Sequence, residues 1–524
     1  MSAPGGRVGS AAVRAFALAA ATVIACLLIG DALSPSPAPA ASPFQWRGVV
    51  QGQYGPQFSS AQRRRLLRFM AREGFNAYVH APKGDPYQGT LWRDPYPLSR
   101  QATLDREVRL ASRLGIEWIA NVSPAAPRYS SPGDAAPPGT SPSPPICFSS
   151  DADLGQVLAK LEPFRESGAH TFMVSFDDAR RAFSCTADGA AYGSGGRAFG
   201  TANADLLDRL YSRLLDQDPG ARLLTVASDY RGTDGSAYLR GLRERLVPGV
   251  EVMWTGAATH SRPFTPADAD AYGTLVGRAP IVWENWTNND ALTAPGQRPT
   301  RVFLGPYARR PDVVGHVRGF FFNPANQSDL NFLPLATAGD WMRHPVRYRP
   351  RRAFLRETRK MAGNGAPALR AFAEANYSTT LRRSVEAPTL RRLIHRFLRA
   401  REGKDHGAST AARLRHQLSL AAGAGRGLRR VGRLEHFVRQ ARPFLRSVRL
   451  NATAGLLATD LLQARHSEDR RRLERRLHRA LRRAARWPVE TFGTRAGVFG
   501  LTGNVIDGYV SRVRRRHHRG PHGQ

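Results

Sequence analysis

Two consecutive carboxylates, Asp177 and Asp178, end the apolar run Thr171-Phe172-Met173-Val174-Ser175-Phe176. Acids at the end of a buried strand lose hydration that nothing returns unless they are used, so the pair is a candidate acid/base site. Two acids held close together push their proton affinities apart, which lets one stay charged while the other carries a proton near neutral pH. Neighbouring strand side chains point to opposite faces, so both acids can line one pocket only where the strand is ending. The polar sequence Ala179-Arg180-Arg181 fits such an end.

The elements that must position the pair are short apolar runs separated by amphipathic stretches. Strands are expected at 48–51, 77–80, 118–122, 171–176, 223–227, 250–254, 281–283 and 319–322. Ser59 with Gln62 makes a capping box for the first helix, and Gly74 closes it. Eight strands alternating with helices predict an α/β chain with a (β/α)8 TIM-type barrel. A doubly wound sheet is the alternative; it wants a glycine-rich phosphate turn after the first strand, which Gly52-Gln53-Tyr54-Gly55 does not supply. On a barrel the chemistry sits at the C-terminal strand ends. Lys83 and Asp85, Asp177 and Asp178, Tyr230, Thr255, Asn285 and Asp290, and Asn323 follow six different strands there. They predict a pocket of hydroxyl-binding groups around two acids, with Trp254 and Trp283 as apolar platforms for a sugar ring.

The motifs in order, Gly52-Gln53-Tyr54-Gly55, Ala81-Pro82-Lys83-Gly84-Asp85-Pro86-Tyr87, Trp92-Arg93-Asp94-Pro95-Tyr96, Phe176-Asp177-Asp178, Val252-Met253-Trp254-Thr255-Gly256, Asn285 with Asp290, and Phe322-Asn323-Pro324, resemble glycoside hydrolase family 84, the β-N-acetylglucosaminidases. The resemblance covers roughly residues 47–341. It implies substrate-assisted hydrolysis with retention, in which the sugar's own acetamido oxygen attacks the anomeric carbon to give an oxazoline, an exception to the two-carboxylate scheme. By matching position, Asp177 would orient the acetamido N–H, and Asp178 would protonate the glycosidic oxygen and then activate water. Tyr230 would bond the acetamido oxygen, and Asn285 would lie beside the acids. Gly52 through its backbone, Lys83, Asp290 and Asn323 would hold the sugar hydroxyls. The chain departs from the family at Gln51, Gln53 and Glu284, positions expected near the pocket mouth. An endo-acting hydrolase of hyaluronan or cell-wall glycan, and a glycan-binding barrel without turnover, are the competing readings.

Of the 524 residues, those from Val346 onward hold 42 Lys+Arg against 12 Asp+Glu, so nearly all of the net charge of +35 belongs to the C-terminal third. Leu, Ala and Arg at helical spacing, as in Leu390, Leu393, Ile394 and Phe397, predict an α-helical bundle over 346–510 behind a 44–345 catalytic domain. The basic stretch 511–524 has no evident core and is expected to be disordered. The bundle's charge points to a polyanion of the cell envelope or an anionic glycan, with no dedicated nucleic-acid partner because no aromatics interleave the arginines. Residues 1–41 read as a cleaved export signal, with basic Arg7 and Arg14, an apolar run and Ala38-Pro39-Ala40. A retained anchor is less favoured because the run is short, and the lipoprotein reading of Val23-Ile24-Ala25-Cys26 because the apolar run continues past the cysteine. Cleavage leaves Cys147 and Cys185, for which a disulfide is expected, the alternative being two unrelated core residues. That tie would anchor the Pro/Ser-rich loop 124–145 beside the acids. No metal spacing, phosphate loop or nucleophile elbow is present, so no cofactor is expected; His517, His518 and His522 read as a solvated tail.

Overall fold

The computed structural model of the chain describes residues 1–2, 42–125, 140–179, 181–290, 300–309, 311–383, 385–401, 407–487, 489–492 and 505–518. Residues 3–41 of the expected leader, most of the Pro/Ser-rich loop, and the tail beyond His518 with His522 lie outside these residues. The described residues from Pro43 onward gather into one compact unit.

Eight parallel strands close into a barrel in sequence order: β1 Trp46–Gln51, β2 Ala77–His80, β3 Glu117–Val122, β4 Thr171–Ser175, β5 Arg222–Val226, β6 Val250–Trp254, β7 Ile281–Glu284 and β8 Gly319–Phe322. β8 returns to β1 with Trp46 opposite Gly319 and Val49 opposite Phe322, which closes the sheet without an edge. Alternation of side chains sends Val79, Ile119, Met173, Leu224, Met253, Ile281 and Phe321 into the barrel. Gly48 is required there, because a Cβ would stand 2.1 Å from Phe321 Cδ1. Their outward neighbours, such as Tyr78, Phe172, Val174 and Phe320, pack beneath the helices α1 Ser60–Arg72, α2 Leu98–Arg113, α3 Asp151–Glu166, α4 Thr186–Tyr192, α5 Gly195–Gln217, α6 Ala237–Arg245, α7 Pro266–Val276 and α8 Phe332–Arg343. α1 starts on the expected capping box, with Ser59 accepting from the Gln62 amide and Gln62 from the Ser59 amide. Between β7 and β8 the described residues hold only a 3-10 turn, Pro311–Val313.

The C-terminal region is helical: α9 Pro350–Ala362, α10 Ala366–Glu374, α11 Pro388–Ala400, α12 Ala408–Arg429, α13 Glu435–Gln463, α14 Ser467–Ala485 and α15 Val505–His518. No helix among the described residues is long and apolar enough to cross a membrane. Disorder from 511 onward does not hold as far as His518. Ile506, Tyr509, Val510 and Val513 form one buried stripe of α15, and the Tyr509 hydroxyl lies 2.9 Å from Thr459 Oγ1 on α13. The limit expected near 345 marks where strands stop, yet it does not divide the packing. Val302, Leu304, Leu330 and Leu333 of the barrel region lie in the same apolar cluster as the bundle.

The seam is also polar. Arg301 and Glu386 form a buried ion pair, side chains 1% and 0% exposed, and Glu386 takes a further bond from Ser378 Oγ at 2.6 Å. Gln440 of α13 donates to Asp329 at 2.7 Å, and Lys360 pairs with Glu73 at 2.7 Å. Removing one partner of a buried pair strands the other charge, so Glu386→Ala is expected to cost about 3–5 kcal/mol of stability. Chemical denaturation followed by circular dichroism measures it.

Candidate active site

A cavity of about 470 Å³ opens at the C-terminal ends of the strands. Ten of the residues expected to act on substrate line it: Gly52 after β1, Lys83 after β2, Asp177 and Asp178 after β4, Tyr230 after β5, Thr255 after β6, Trp283, Asn285 and Asp290 on and after β7, and Asn323 after β8. β4 ends at Ser175, and Asp178 then takes φ +60°. That left-handed turn, which aspartate tolerates better than most residues, brings both acids to one pocket despite their adjacency.

The two carboxyls have different surroundings. The Asp177 side chain is 11% exposed, and its Oδ2 is bound by the Lys83 ammonium. Its Oδ1 is buried with no hydrogen-bond partner, an acceptor left for an incoming N–H. Burial pushes the Asp177 carboxyl above the usual range, Lys83 pulls it back down, and Asp178 pushes it up again. Asp178 is exposed, with Oδ2 accepting from the Tyr54 hydroxyl at 2.7 Å and Oδ1 lying 3.4 Å from that of Tyr230. Burial raises the Tyr230 phenol, so it stays a protonated donor.

The rest of the wall is a hydrogen-bonded frame. Asn285 Oδ1 accepts from Trp283 Nε1 at 3.0 Å and from Asn323 Nδ2 at 2.8 Å, while its own amide donates to Thr259 O at 2.7 Å. Asn323 Oδ1 accepts from the Gly52 amide at 3.2 Å. Asp290 Oδ2 accepts from the Tyr54 amide at 2.9 Å and from Asn288 at 3.1 Å. Thr255 holds the Tyr230 carbonyl through its amide at 2.8 Å and its hydroxyl at 3.3 Å. A Cβ on Gly52 would meet Trp283 Cζ2 at 2.3 Å. Gly52→Ala must therefore rotate Trp283 away from Asn285, and a displacement of that size is expected to lower kcat/KM by about 10²-fold, with about 1–3 kcal/mol of stability lost to crowding of the buried ring.

Several expectations need correction. Asp85 is not in the cavity: it is 2% exposed and accepts from the Tyr87 amide at 3.1 Å and the Tyr96 hydroxyl at 2.9 Å, so it shapes the turn after β2. Trp254 is no platform. It points outward from β6, stacks on Tyr272 at 5.3 Å and donates to Gly232 O at 2.9 Å. Gln51, Gln53 and Glu284 are buried rather than at the mouth; Glu284 accepts from Arg309 Nε at 3.0 Å and Tyr307 at 3.1 Å. Tyr54, Thr259, His260 and Asn288 line the cavity and had not been singled out. Tyr54 lies inside a motif already noted, two residues past Gly52; the others sit on loops without period. Burial pushes the His260 imidazole below its usual value, and Nε2 lies 3.3 Å from Asn288 Oδ1.

Cys147 and Cys185 are joined by a disulfide, Cα to Cα 5.6 Å, which ties the segment after β3 to the one after β4. Asp188 sits beside them and could suggest a metal cluster, but both sulfurs are spent on each other. Asp188 accepts instead from the Phe148 amide at 2.9 Å and the Ser149 amide at 2.8 Å.

Comparison with known proteins gives one consistent picture. The family model described as NAGidase, beta-N-acetylglucosaminidase, matches residues 47–374. Protein O-GlcNAcase of Rattus norvegicus and that of Mus musculus are each 27% identical over 301 residues, 56% of this chain and 29% of theirs. The chain thus spans less than a third of these curated relatives. A mutant O-GlcNAc hydrolase from Thermobaculum terrenum superposes with a TM-score of 0.72 at 22% identity, over 90% of this chain and 95% of that one. CpGH84B gives 0.74 at 21% identity, over 90% and 77%. At such identities these structures speak for the fold. The family model spans well over half of the sequence, and the chain belongs to the β-N-acetylglucosaminidases of glycoside hydrolase family 84.

Proposed function

We propose that the protein removes terminal β-linked N-acetylglucosamine by substrate-assisted, retaining hydrolysis. The observation that carries this reading is the unlike placement of two adjacent acids on one cavity. Asp177 is buried, paired with a cation, and has one acceptor oxygen to spare; Asp178 is exposed between two tyrosine hydroxyls. In this reading Asp177 Oδ1 accepts the acetamido N–H and turns the amide oxygen toward the anomeric carbon. Tyr230 donates to that oxygen. Asp178 gives its proton to the departing aglycone oxygen, then takes one from the water that opens the oxazoline. Trp283 forms the apolar floor, and Gly52, Lys83, Asp290 and Asn323 meet the sugar hydroxyls, with Asn285 and Thr255 holding the frame.

Exo action is favoured over chain-internal cleavage because the loops after β1, β7 and β8 are bonded into one wall. Tyr54 N reaches Asp290, and Asn326 Nδ2 reaches Tyr54 O at 3.0 Å. N-acetylglucosamine on glycans or glycoproteins is the substrate class, as the names of the matched O-GlcNAcases suggest. We further propose export to the cell envelope or beyond. The leader-like 1–41 and a disulfide that an oxidising compartment would preserve support it. The basic helical region is proposed to hold a polyanion there. No part of the reading requires a cofactor.

The test is release of nitrophenol from 4-nitrophenyl N-acetyl-β-D-glucosaminide, with the first-formed sugar anomer identified by NMR. The β-anomer and inhibition by a thiazoline mimic are expected. An α-product would remove the oxazoline pathway, and sugar binding without turnover would favour a glycan-binding barrel.

A further inference from the structure

Helix α14 concentrates the charge of the bundle on one face. Arg472, Arg476, Arg479 and Arg483 form one row at spacings of three and four. Arg471, Arg475, Arg482 and the C-capping Arg486 form a second beside it, and all eight are exposed. At 3.6 residues per turn these positions fill an arc of about 140° directly opposite Leu477, the buried residue of the helix. The apolar side is already committed: Leu473, Ala480 and Leu481 pack with Leu477 against the bundle core.

Among the described residues, Arg472 alone of the eight has a carboxylate partner, Asp469 at 3.1 Å. Like charges three and four apart oppose a helix, so folding gives no reason for the rows. Near the N-terminal end of α14, Arg470 and Arg516 of α15 each act on Arg401, the C-cap of α11. The Arg401 guanidinium is pushed below its ordinary value by burial and then by Arg516 and Arg470. This cluster lies on the Leu477 side of α14, since Arg470 stands seven residues before Leu477, and it is separate from the two rows.

We infer that this face docks a flexible linear polyanion whose charges are phosphates along its backbone. Guanidinium forks bind phosphate through paired N–H bonds, and successive arginines of the first row stand about 5–6 Å apart. An anionic bilayer fits less well, because an interfacial helix must insert an apolar face and that of α14 is occupied. The helix has no Phe, Tyr or Trp to stack bases, which sets aside single-strand nucleic-acid recognition. The inference deepens the polyanion reading of the bundle and is independent of the glycosidase reading.

The experiment uses the full chain and fluorescently labelled inorganic polyphosphate, titrated across a salt series, with the quadruple variant R472Q/R476Q/R479Q/R483Q and the matching quadruple lysine variant. Wild type should bind saturably, with log affinity falling linearly against log salt. The glutamine variant should bind at least about tenfold more weakly at low salt, with a slope shallower by about 3, roughly 0.7 per charge removed. The lysine variant should keep the slope and lose affinity. Circular dichroism and nitrophenol release should match wild type in both variants, showing the fold intact. Undiminished binding by the glutamine variant would overturn the site. Full affinity in the lysine variant, or preference for phosphatidylglycerol vesicles over polyphosphate, would overturn the phosphate assignment. Absence of nitrophenol release by wild type bears on the barrel alone.

Discussion

Replacing Asp178 by alanine is expected to lower kcat/KM by about 10²–10⁴-fold on a substrate whose aglycone is an ordinary alcohol or a serine hydroxyl. On the nitrophenyl glycoside the loss in the first step should be much smaller, because nitrophenolate departs without a proton. The reason is positional. The Asp178 carboxyl is exposed at the cavity mouth, held by Tyr54 at 2.7 Å, where an aglycone oxygen would leave and water would enter. Azide should restore turnover of the nitrophenyl substrate in Asp178→Ala and yield a β-glycosyl azide, since a small nucleophile can open an oxazoline without general-base help. Equal losses on both substrates, with no azide effect, would mean that Asp178 only shapes the pocket. The Asp177→Asn variant should behave differently. It keeps the size of the side chain but removes the charge facing Lys83, and its loss should be similar for good and poor leaving groups.

The barrel was readable because parallel strands covered on both faces appear as continuous apolar runs, and each of the eight stands within two residues of its expected limits. The pocket was readable for the same reason: residues just past a barrel strand converge whatever the intervening sequence. What failed was the direction of individual side chains. Trp254 and Trp283 look equivalent in the sequence, yet Met253 is the inward residue on β6, which turns Trp254 outward, while Ile281 and Trp283 share the inward side of β7. The parity of each strand decides this, and a residue's closeness to the strand end does not. Asp85 was misplaced because a buried acid satisfied by Tyr87, Tyr96 and Arg100 reads like a catalytic one until its partners are known. Thr259 and Asn288 enter from loops whose course is set by Asn285 and Asp290, partners distant or offset in sequence, so no period announces them. The unity of barrel and bundle rests on pairs such as Arg301 with Glu386, 85 residues apart, for which neither residue carries a local signal.

Removing the Lys83 ammonium, as in Lys83→Met, is expected to move the acidic limb of the kcat/KM profile to higher pH. Burial disfavours the charged form of Asp177, and Lys83 is the largest influence acting the other way; Asp178 adds to the upward push. Without the ammonium the carboxyl rises further, and at any pH on the acid side a smaller fraction is charged. If the charged form steers the acetamido group, each unit of that rise removes about tenfold of the rate there, the equivalent of about 1.4 kcal/mol. The profile of kcat/KM is the one to measure, because it reports the free enzyme, in which Lys83 and Asp177 face each other. Weaker binding of the sugar hydroxyls in the absence of Lys83 would lower the whole curve without moving the limb, so position and height separate the two effects. The sign is diagnostic. Were Asp177 the proton donor, its rise would leave the acidic limb in place and carry the basic limb upward, and the roles of the two acids would have to be exchanged.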